Sequence, residues 1–140
     1  MENDLYRIMA LDYGDVRIGI ALSDLQRIIA TGKENYTRVS LDKDIKHILS
    51  IANENNVREI VVGLPINMDG TKGERVEKTY KFVDELKKFT DLKISFLDER
   101  LTSVQAEKLL INSNVRREKR KQVIDKLSAT IILQDYLSSI

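Results

Sequence analysis

Cysteine and tryptophan are absent from this chain, which has one proline and one histidine among its 140 residues. Without cysteine, disulfides, thiolate metal sites and cysteine nucleophiles are all excluded. The single histidine, His47, lies off the apolar face of its predicted helix, so we expect it at the surface rather than on a metal. A metal site in this chain would therefore have to use oxygen ligands.

Long apolar runs are also missing, because none approaches the ~18–20 residues that span a bilayer. The first residues are acidic and polar rather than arranged as a secretion signal. The net charge is only +1, so no overall field attracts a polyanion. With 42% hydrophobic and 32% charged residues, we expect residues 1–140 to form one folded, cytoplasmic domain that does not bind membranes.

Short apolar runs bounded by turn residues predict the strands of an α/β protein. Five strands are predicted: residues 6–12, 17–23, part of 26–39 with a break near Gly32, 59–65 and 93–97. Gly14 supplies a turn between the first two strands, which therefore form a hairpin. Early hairpins followed by strand–helix alternation indicate a mixed sheet with helices packed on its faces.

Capping signals mark where the helices begin. Ser40 is a predicted N-cap, and capping boxes start at Thr71 and Thr102. The last helix is predicted over residues 119–137. One predicted stripe of that helix consists of Val123, Leu127, Thr130, Ile131 and Gln134.

Acidic residues stand at the ends of several of these elements. Asp12 ends the first strand, and Asp98 and Glu99 end the last one. Asp125 lies on the final helix, on the same side as the small residues that follow it one turn later, which would let that helix approach the sheet closely. Ligands of α/β sheets bind beyond the carboxyl ends of the strands, so we expect these acids to converge there.

Converging carboxylates repel one another and raise one another's pKa. A divalent cation removes this conflict, and oxygen ligands without histidine or cysteine favour Mg²⁺ or Mn²⁺. Two such ions ~3.5–4 Å apart can activate water and stabilise the leaving oxygen in phosphodiester cleavage. Taken singly, each acid is an ordinary turn or surface residue, and only the set of them predicts a metal site.

Two basic segments are candidate phosphate contacts. Residues 116–121 contain five basic residues in six, which is typical either of a solvated helix start or of a contact with a nucleic-acid backbone. Lys72 and Arg75 lie in a glycine-containing loop and the helix start after it, where backbone N–H groups could add to an anion site. A merely solvated loop is the alternative for this second segment.

Four segments in order resemble the motifs of the YqgF-type family, bacterial proteins named as Holliday-junction resolvases or pre-16S rRNA nucleases. They are LDYG (11–14) with RIGIALSD (17–24), VGLP (62–65) with MDG (68–70), DERLTS (98–103), and DKLSA (125–129) with ILQ (132–134). The match covers nearly the whole chain. Its one departure is Ser128, where the family usually has alanine, a change that conserves size.

The resemblance implies a ribonuclease H-like fold, with helices on both faces of a five-stranded mixed sheet whose second strand is antiparallel. It implies metal-dependent nuclease chemistry on three carboxylates: Asp12, Glu99 and Asp125. Asp98 is the alternate ligand to Glu99, because alternation cannot decide between them at a strand end. The expected nucleic-acid contacts are Arg17, Lys72, Arg75, Arg100, Arg116, Arg117 and Lys119.

Several functions remain open at this point. The resemblance slightly favours processing of the 5′ end of pre-16S rRNA, with ribosomal particles as partners, over resolution of DNA four-way junctions. Either a monomer or a homodimer is compatible with these functions, and a homodimer would suit a symmetric junction. A module that binds nucleic acid without cutting is a further alternative. An actin-like sugar kinase also opens with such a hairpin, but it needs two such domains.

Overall fold

The structure is a computed structural model that describes residues 4–67, 69–99 and 117–140, with side chains of the last range from residue 127 onward. In chain order its elements are β1 (Arg7–Tyr13), β2 (Arg17–Ser23), β3 (Ala30–Thr37), α1 (Leu41–Glu54), β4 (Val57–Leu64), α2 (Glu74–Lys87), β5 (Lys93–Asp98) and α3 (Arg117–Ser139). The predicted helix that begins at Thr102 lies outside the described residues.

The five strands form one sheet in the order β3-β2-β1-β4-β5. The strand pairs β1–β2 and β2–β3 are antiparallel, whereas β1–β4 and β4–β5 are parallel. Only β2 therefore runs against the other four strands, and the predicted mixed sheet with an antiparallel second strand is confirmed. The carboxyl ends of β1, β4 and β5 meet at one edge of the sheet.

Alternation along the strands separates two faces of the core. On β1, Met9 and Leu11 pack with residues of α1 and α2, whereas Ile8 and Ala10 pack against α3. Helices therefore cover both faces, as predicted. Within the ranges given above, no helix is long and apolar enough to cross a membrane.

The strand and helix boundaries agree with the predictions except at a few positions. The predicted break near Gly32 is a β-bulge: Ile20 pairs with Glu34 and Ala21 with Gly32, so Lys33 is the extra residue and β3 continues through it. Ser40 is the N-cap of α1, as predicted, and its hydroxyl accepts a hydrogen bond from the backbone N–H of the third helical residue at 3.3 Å.

The capping box predicted from Thr71 to Glu74 is wrong. The N-cap of α2 is Gly73, which has no side chain to accept a hydrogen bond. The Thr71 hydroxyl instead donates to Asp69 Oδ1 at 2.7 Å, within the loop that precedes the helix. A local bond between two loop side chains has therefore replaced the bond to the helix, as such short polar side chains readily allow.

The predicted stripe on α3 is not the most deeply buried one. From residue 127 onward, where the structure describes the side chains of this helix, the buried residues are Ser128, Ala129, Ile132, Leu133 and Leu137. Thr130 and Ile131, from the predicted stripe, are only half-buried. Both small residues are buried, and Ala129 packs with residues of β1, β2 and β4, so α3 lies close to the sheet as expected. Close packing at the small side chains has set the rotation of the helix more than the positions of its larger ones.

Candidate active site

Asp12 lies near the carboxyl end of β1, on the sheet face that α3 covers. Its position follows from strand alternation, because Ile8 and Ala10 on the same strand pack against α3. Only 7% of Asp12 is exposed. A carboxyl group buried this far is costly to keep charged unless other groups stabilise its charge.

Glu99 follows β5 directly and is only 2% exposed. A Cβ built on Gly63 of β4 would lie 3.0 Å from Glu99 Oε2 and 2.6 Å from Ile132 Cδ1 of α3. The Glu99 carboxyl group therefore occupies the space that Gly63 leaves between β4 and α3. It lies on the same face of the sheet as Asp12.

Asp98 belongs to the opposite face. Leu97 packs with the cluster that includes α3, whereas the Phe96 ring contacts Tyr80 of α2. Side chains alternate along a strand, so Asp98 shares the α2 face with Phe96, and Glu99 shares the α3 face with Leu97. The two adjacent acids that the sequence left as alternatives thus point to different sides of the sheet.

Gly63 of β4 lies between Asp12 of β1 and Glu99, which follows β5. Leu11 is paired with Val62 in the parallel β1–β4 ladder, so the next residues, Asp12 and Gly63, are neighbours across the two strands. Sequence reasoning treated Gly63 only as part of a buried strand. A glycine inside an otherwise apolar strand is itself a sign of close approach, and that signal could have found it.

The third predicted carboxylate, Asp125, belongs to α3. Tyr136 of this helix donates a hydrogen bond to Glu59 near the start of β4, and Ile132 lies over Gly63 near its end. The helix therefore runs antiparallel to β4, and its earlier turns extend toward the edge that carries Asp12. The side chain of Asp125 lies outside the described part.

The described side chains include no group of three or more histidines, aspartates or glutamates arranged to hold a metal ion. The Asp125 side chain is not among them. Asp12 and Glu99 are thus the two predicted ligands that the structure describes on one face.

The predicted basic contacts divide between the two faces. Arg17 begins β2 and, by alternation with Ala21, which packs against α3, it lies on the same face as Asp12. Arg75 donates from Nη2 to the Tyr13 carbonyl at 3.4 Å, and Lys72 Nζ lies 5.7 Å from the centre of the Tyr80 ring. Arg100 and Arg116 fall outside the described residues, as do the side chains of Arg117 and Lys119.

The turn that follows Asp12 requires glycine and is held by Arg38. A Cβ at Gly14 would lie 2.7 Å from the Arg17 carbonyl oxygen, which accepts the Gly14 N–H. Arg38 Nη1 donates to the carbonyl oxygens of Gly14 and Asp15, each at 3.2 Å. Its guanidinium also lies 4.6 Å from the centre of the Tyr13 ring. These contacts restrain the segment immediately after Asp12.

Arg38 is itself held by a buried acid on α1. Its Nε lies 3.2 Å from Asp44 Oδ2, and Asp44 is fully buried. Asp44 also accepts hydrogen bonds from the Tyr36 hydroxyl at 3.0 Å and from the Val39 N–H at 2.8 Å. Sequence reasoning missed this network, because Asp44 has the ordinary signature of an acid in a first helical turn.

Two groups beside this turn, Tyr13 and Lys78, have raised pKa values. Burial raises the pKa of the Tyr13 phenol, although the Arg38 cation acts in the opposite direction. The pKa of Lys78 is also raised, chiefly by its hydrogen bond to Asp15. Both shifts are upward, so near neutral pH the Tyr13 phenol stays neutral and the Lys78 ammonium stays charged.

Substitution Gly63→Ala should destabilise the protein by about 1–3 kcal/mol, because the new methyl group overlaps Ile132 and presses on Glu99. Urea denaturation measures the change. Gly73→Ala is the matched control, since its Cβ would meet only Asn67 Nδ2 at 3.7 Å and its φ of −89° suits any residue. Equal stability of the two variants would contradict the close approach at Gly63.

Comparison with known proteins assigns the chain to a family. A family model described as "RuvX: Holliday junction resolvase" matches residues 6–139. Relatives from Halothermothrix orenii and Carboxydothermus hydrogenoformans, both named "Putative pre-16S rRNA nuclease", are each 49% identical over 132 residues. Those alignments cover 94% of this chain and 94% and 96% of the respective relatives.

A solved structure of T. thermophilus RuvC in complex with a Holliday junction substrate superposes with a TM-score of 0.60. The two chains are 9% identical, and the alignment covers 96% of this chain and 94% of the other. This likeness concerns the fold alone and confirms the predicted ribonuclease H-like architecture. The family model that matches residues 6–139 and the relatives at 49% identity show that the chain belongs to the RuvX family.

Proposed function

We propose that this protein is a metal-dependent nuclease whose catalytic carboxylates are Asp12, Glu99 and Asp125. The observation that carries the proposal is the burial of Asp12 and Glu99 on one face of the sheet, on either side of Gly63. Bringing two buried carboxyl groups to one face of the sheet is costly when both are charged. A function that requires their charge accounts for the arrangement.

The donor set fits Mg²⁺ or Mn²⁺. Both donors are carboxylates, the ligands these hard cations prefer, and both are buried on the same face of the sheet near Gly63. Asp12 and Glu99 would hold the metal, together with Asp125, and we expect two ions. Such ions, when bound, activate a water molecule and stabilise the leaving oxygen of a phosphodiester.

The role of Asp125 rests on the direction and spacing of α3. Asp125 precedes Ala129 by four residues, and Ala129 is fully buried against the sheet. Residues four apart share one side of a helix, so this spacing favours a position for Asp125 above the same face. The antiparallel course of α3 along β4 supports the same assignment. Asp98, on the α2 face, is the weaker candidate.

Other residues of the chain would orient the substrate. Arg17 lies on the same face as Asp12 and is suited to contact a substrate phosphate. Arg38 restrains the turn after Asp12 through the carbonyl oxygens of Gly14 and Asp15. Holding a carboxylate in place before the substrate arrives lowers the entropy that the reaction must lose.

The names of the relatives favour the precursor of 16S rRNA as the substrate, and we propose that the cut lies at its 5′ end. We therefore propose a cytoplasmic enzyme that acts on RNA, with ribosomal particles as partners, as a monomer or a homodimer. The family description favours a second candidate, the resolution of DNA Holliday junctions. A protein that binds nucleic acid without cutting it is the third, and the experiment below separates the three.

Replacing the carboxylates tests the proposed site. Asp12→Asn and Glu99→Gln should each reduce cleavage more than about a hundredfold. This loss is larger than that expected for a residue that only hydrogen-bonds a metal ligand. Asp98→Asn should retain most of the activity, because its side chain is on the opposite face. The assay compares a pre-16S rRNA fragment with a DNA four-way junction in Mg²⁺ and in Mn²⁺.

Asp91→Asn, which neutralises an exposed carboxylate, is the control for loss of charge alone. Circular dichroism checks that each variant is folded. Full activity of Asp12→Asn would contradict the site, and a large loss in Asp98→Asn alone would reverse the choice between the two adjacent acids. If the wild type binds both substrates and cuts neither, the protein is a binding module.

The basic run before Asp125 should contribute to the salt dependence of binding. Each phosphate neutralised by lysine or arginine contributes roughly 0.7–0.9 to the fall of log affinity per tenfold rise in salt. Replacing Arg116, Arg117 and Lys119 with alanine should therefore flatten the slope and weaken binding to all sequences alike. The measurement is affinity against salt concentration for the wild type and for the triple variant. Identical slopes for the two proteins would show that the run is a solvated helix start.

A further inference from the structure

An aromatic surface lies on the α2 face of the edge strand β5. The Phe96 side chain, 36% exposed, packs edge-on against Tyr80 of α2, with ring centres 5.4 Å apart and planes at 86°. Lys72 Nζ lies 5.7 Å from the centre of the Tyr80 ring. We call these three residues the aromatic platform.

The platform combines two features that ordinary packing leaves unexplained. Phe96 is on an outer strand of the sheet, and the Tyr80 ring of α2 packs against it from one side. Lys72 is exposed and forms no ion pair with any described residue. An exposed aromatic ring close to a cation that forms no ion pair is the chemistry that binds the face of a base and its adjoining phosphate.

We propose that the aromatic platform stacks an unpaired base of the nucleic-acid substrate, an inference that rests on the proposed nuclease function. Phe96 supplies the ring on which the base lies, Tyr80 supports that ring from the side, and Lys72 contacts a neighbouring phosphate. The acid Asp98 shares this face of β5 and disfavours a phosphate on the ring itself. The uncharged face of a base is therefore the better occupant.

The platform is close to the proposed carboxylates but on the other side of the sheet. Phe96 and Glu99 are three residues apart, about 10 Å of extended chain. Since β5 is an outer strand of the sheet, single-stranded nucleic acid can pass around β5 from one face of the sheet to the other. The proposed substrate class is therefore nucleic acid with an unpaired base near the cleavage site, because only an unpaired base can stack on the platform.

Binding without cleavage tests this inference. In the Asp12→Asn background, a single-stranded RNA oligonucleotide carries a fluorescent adenine analogue whose emission falls when it stacks. Phe96→Ala should weaken binding about tenfold, the effect of losing one stacked base, and should abolish the fall in emission at saturation. Phe96→Trp should restore both, because it keeps an aromatic face.

Phe89→Ala is the matched control, since Phe89 is also an exposed phenylalanine, at 49%, just after the end of α2. It should bind like the parent, and a fully paired RNA duplex should bind Phe96→Ala and parent equally. If Phe96→Ala behaves like Phe89→Ala, or weakens single strand and duplex alike, the inference is wrong. Cleavage by the wild type is measured in a separate assay. Cleavage without stacking on Phe96 would therefore contradict the aromatic platform and leave the proposed nuclease function supported. Absence of any binding to nucleic acid would overturn both.

Discussion

Burial of two carboxyl groups beside one glycine is the constraint on which this structure depends. Asp12 and Glu99 are almost without exposed surface, and each reaches the neighbourhood of Gly63 from a different strand. Bringing like charges together out of water is unfavourable unless a cation or donor groups offset it. The space that Gly63 leaves is filled by the Glu99 carboxyl group and by Ile132 of α3, on the same face of the sheet as Asp12.

The fold produces this arrangement through ordinary packing. Parallel pairing of β1, β4 and β5 aligns their carboxyl ends, so residues distant in sequence meet at one edge. The small side chains Ser128 and Ala129 allow α3 to lie close to the sheet. The buried Asp44, through Arg38, restrains the turn after Asp12. The packing of α3 and the contacts of Arg38 therefore hold the region around Asp12 and Glu99 in place, although neither is proposed to take part in the reaction.

Much of the fold could be predicted from local sequence patterns, whereas several features of the candidate site depend on contacts between residues that are distant in sequence. Apolar runs and the Ser40 cap predicted the strands and α1 because both signals are local. The capping box at Thr71 failed because Asp69 competes for the same hydroxyl. Asp98 and Glu99 could not be told apart, since their faces are set by the packing of Leu97 and Phe96 against different helices. Gly63 and Arg38 acquire their roles only through their tertiary neighbours.

The central claim is that the two buried carboxylates hold a catalytic cation on the α3 face of the sheet. Crystals grown with Mn²⁺ and measured near the manganese absorption edge test it most directly, since anomalous scattering locates the ion independently of any assay. The account predicts an anomalous peak within coordination distance of both Asp12 and Glu99. A peak bound by Asp98 on the α2 face, or none at saturating Mn²⁺, would contradict it.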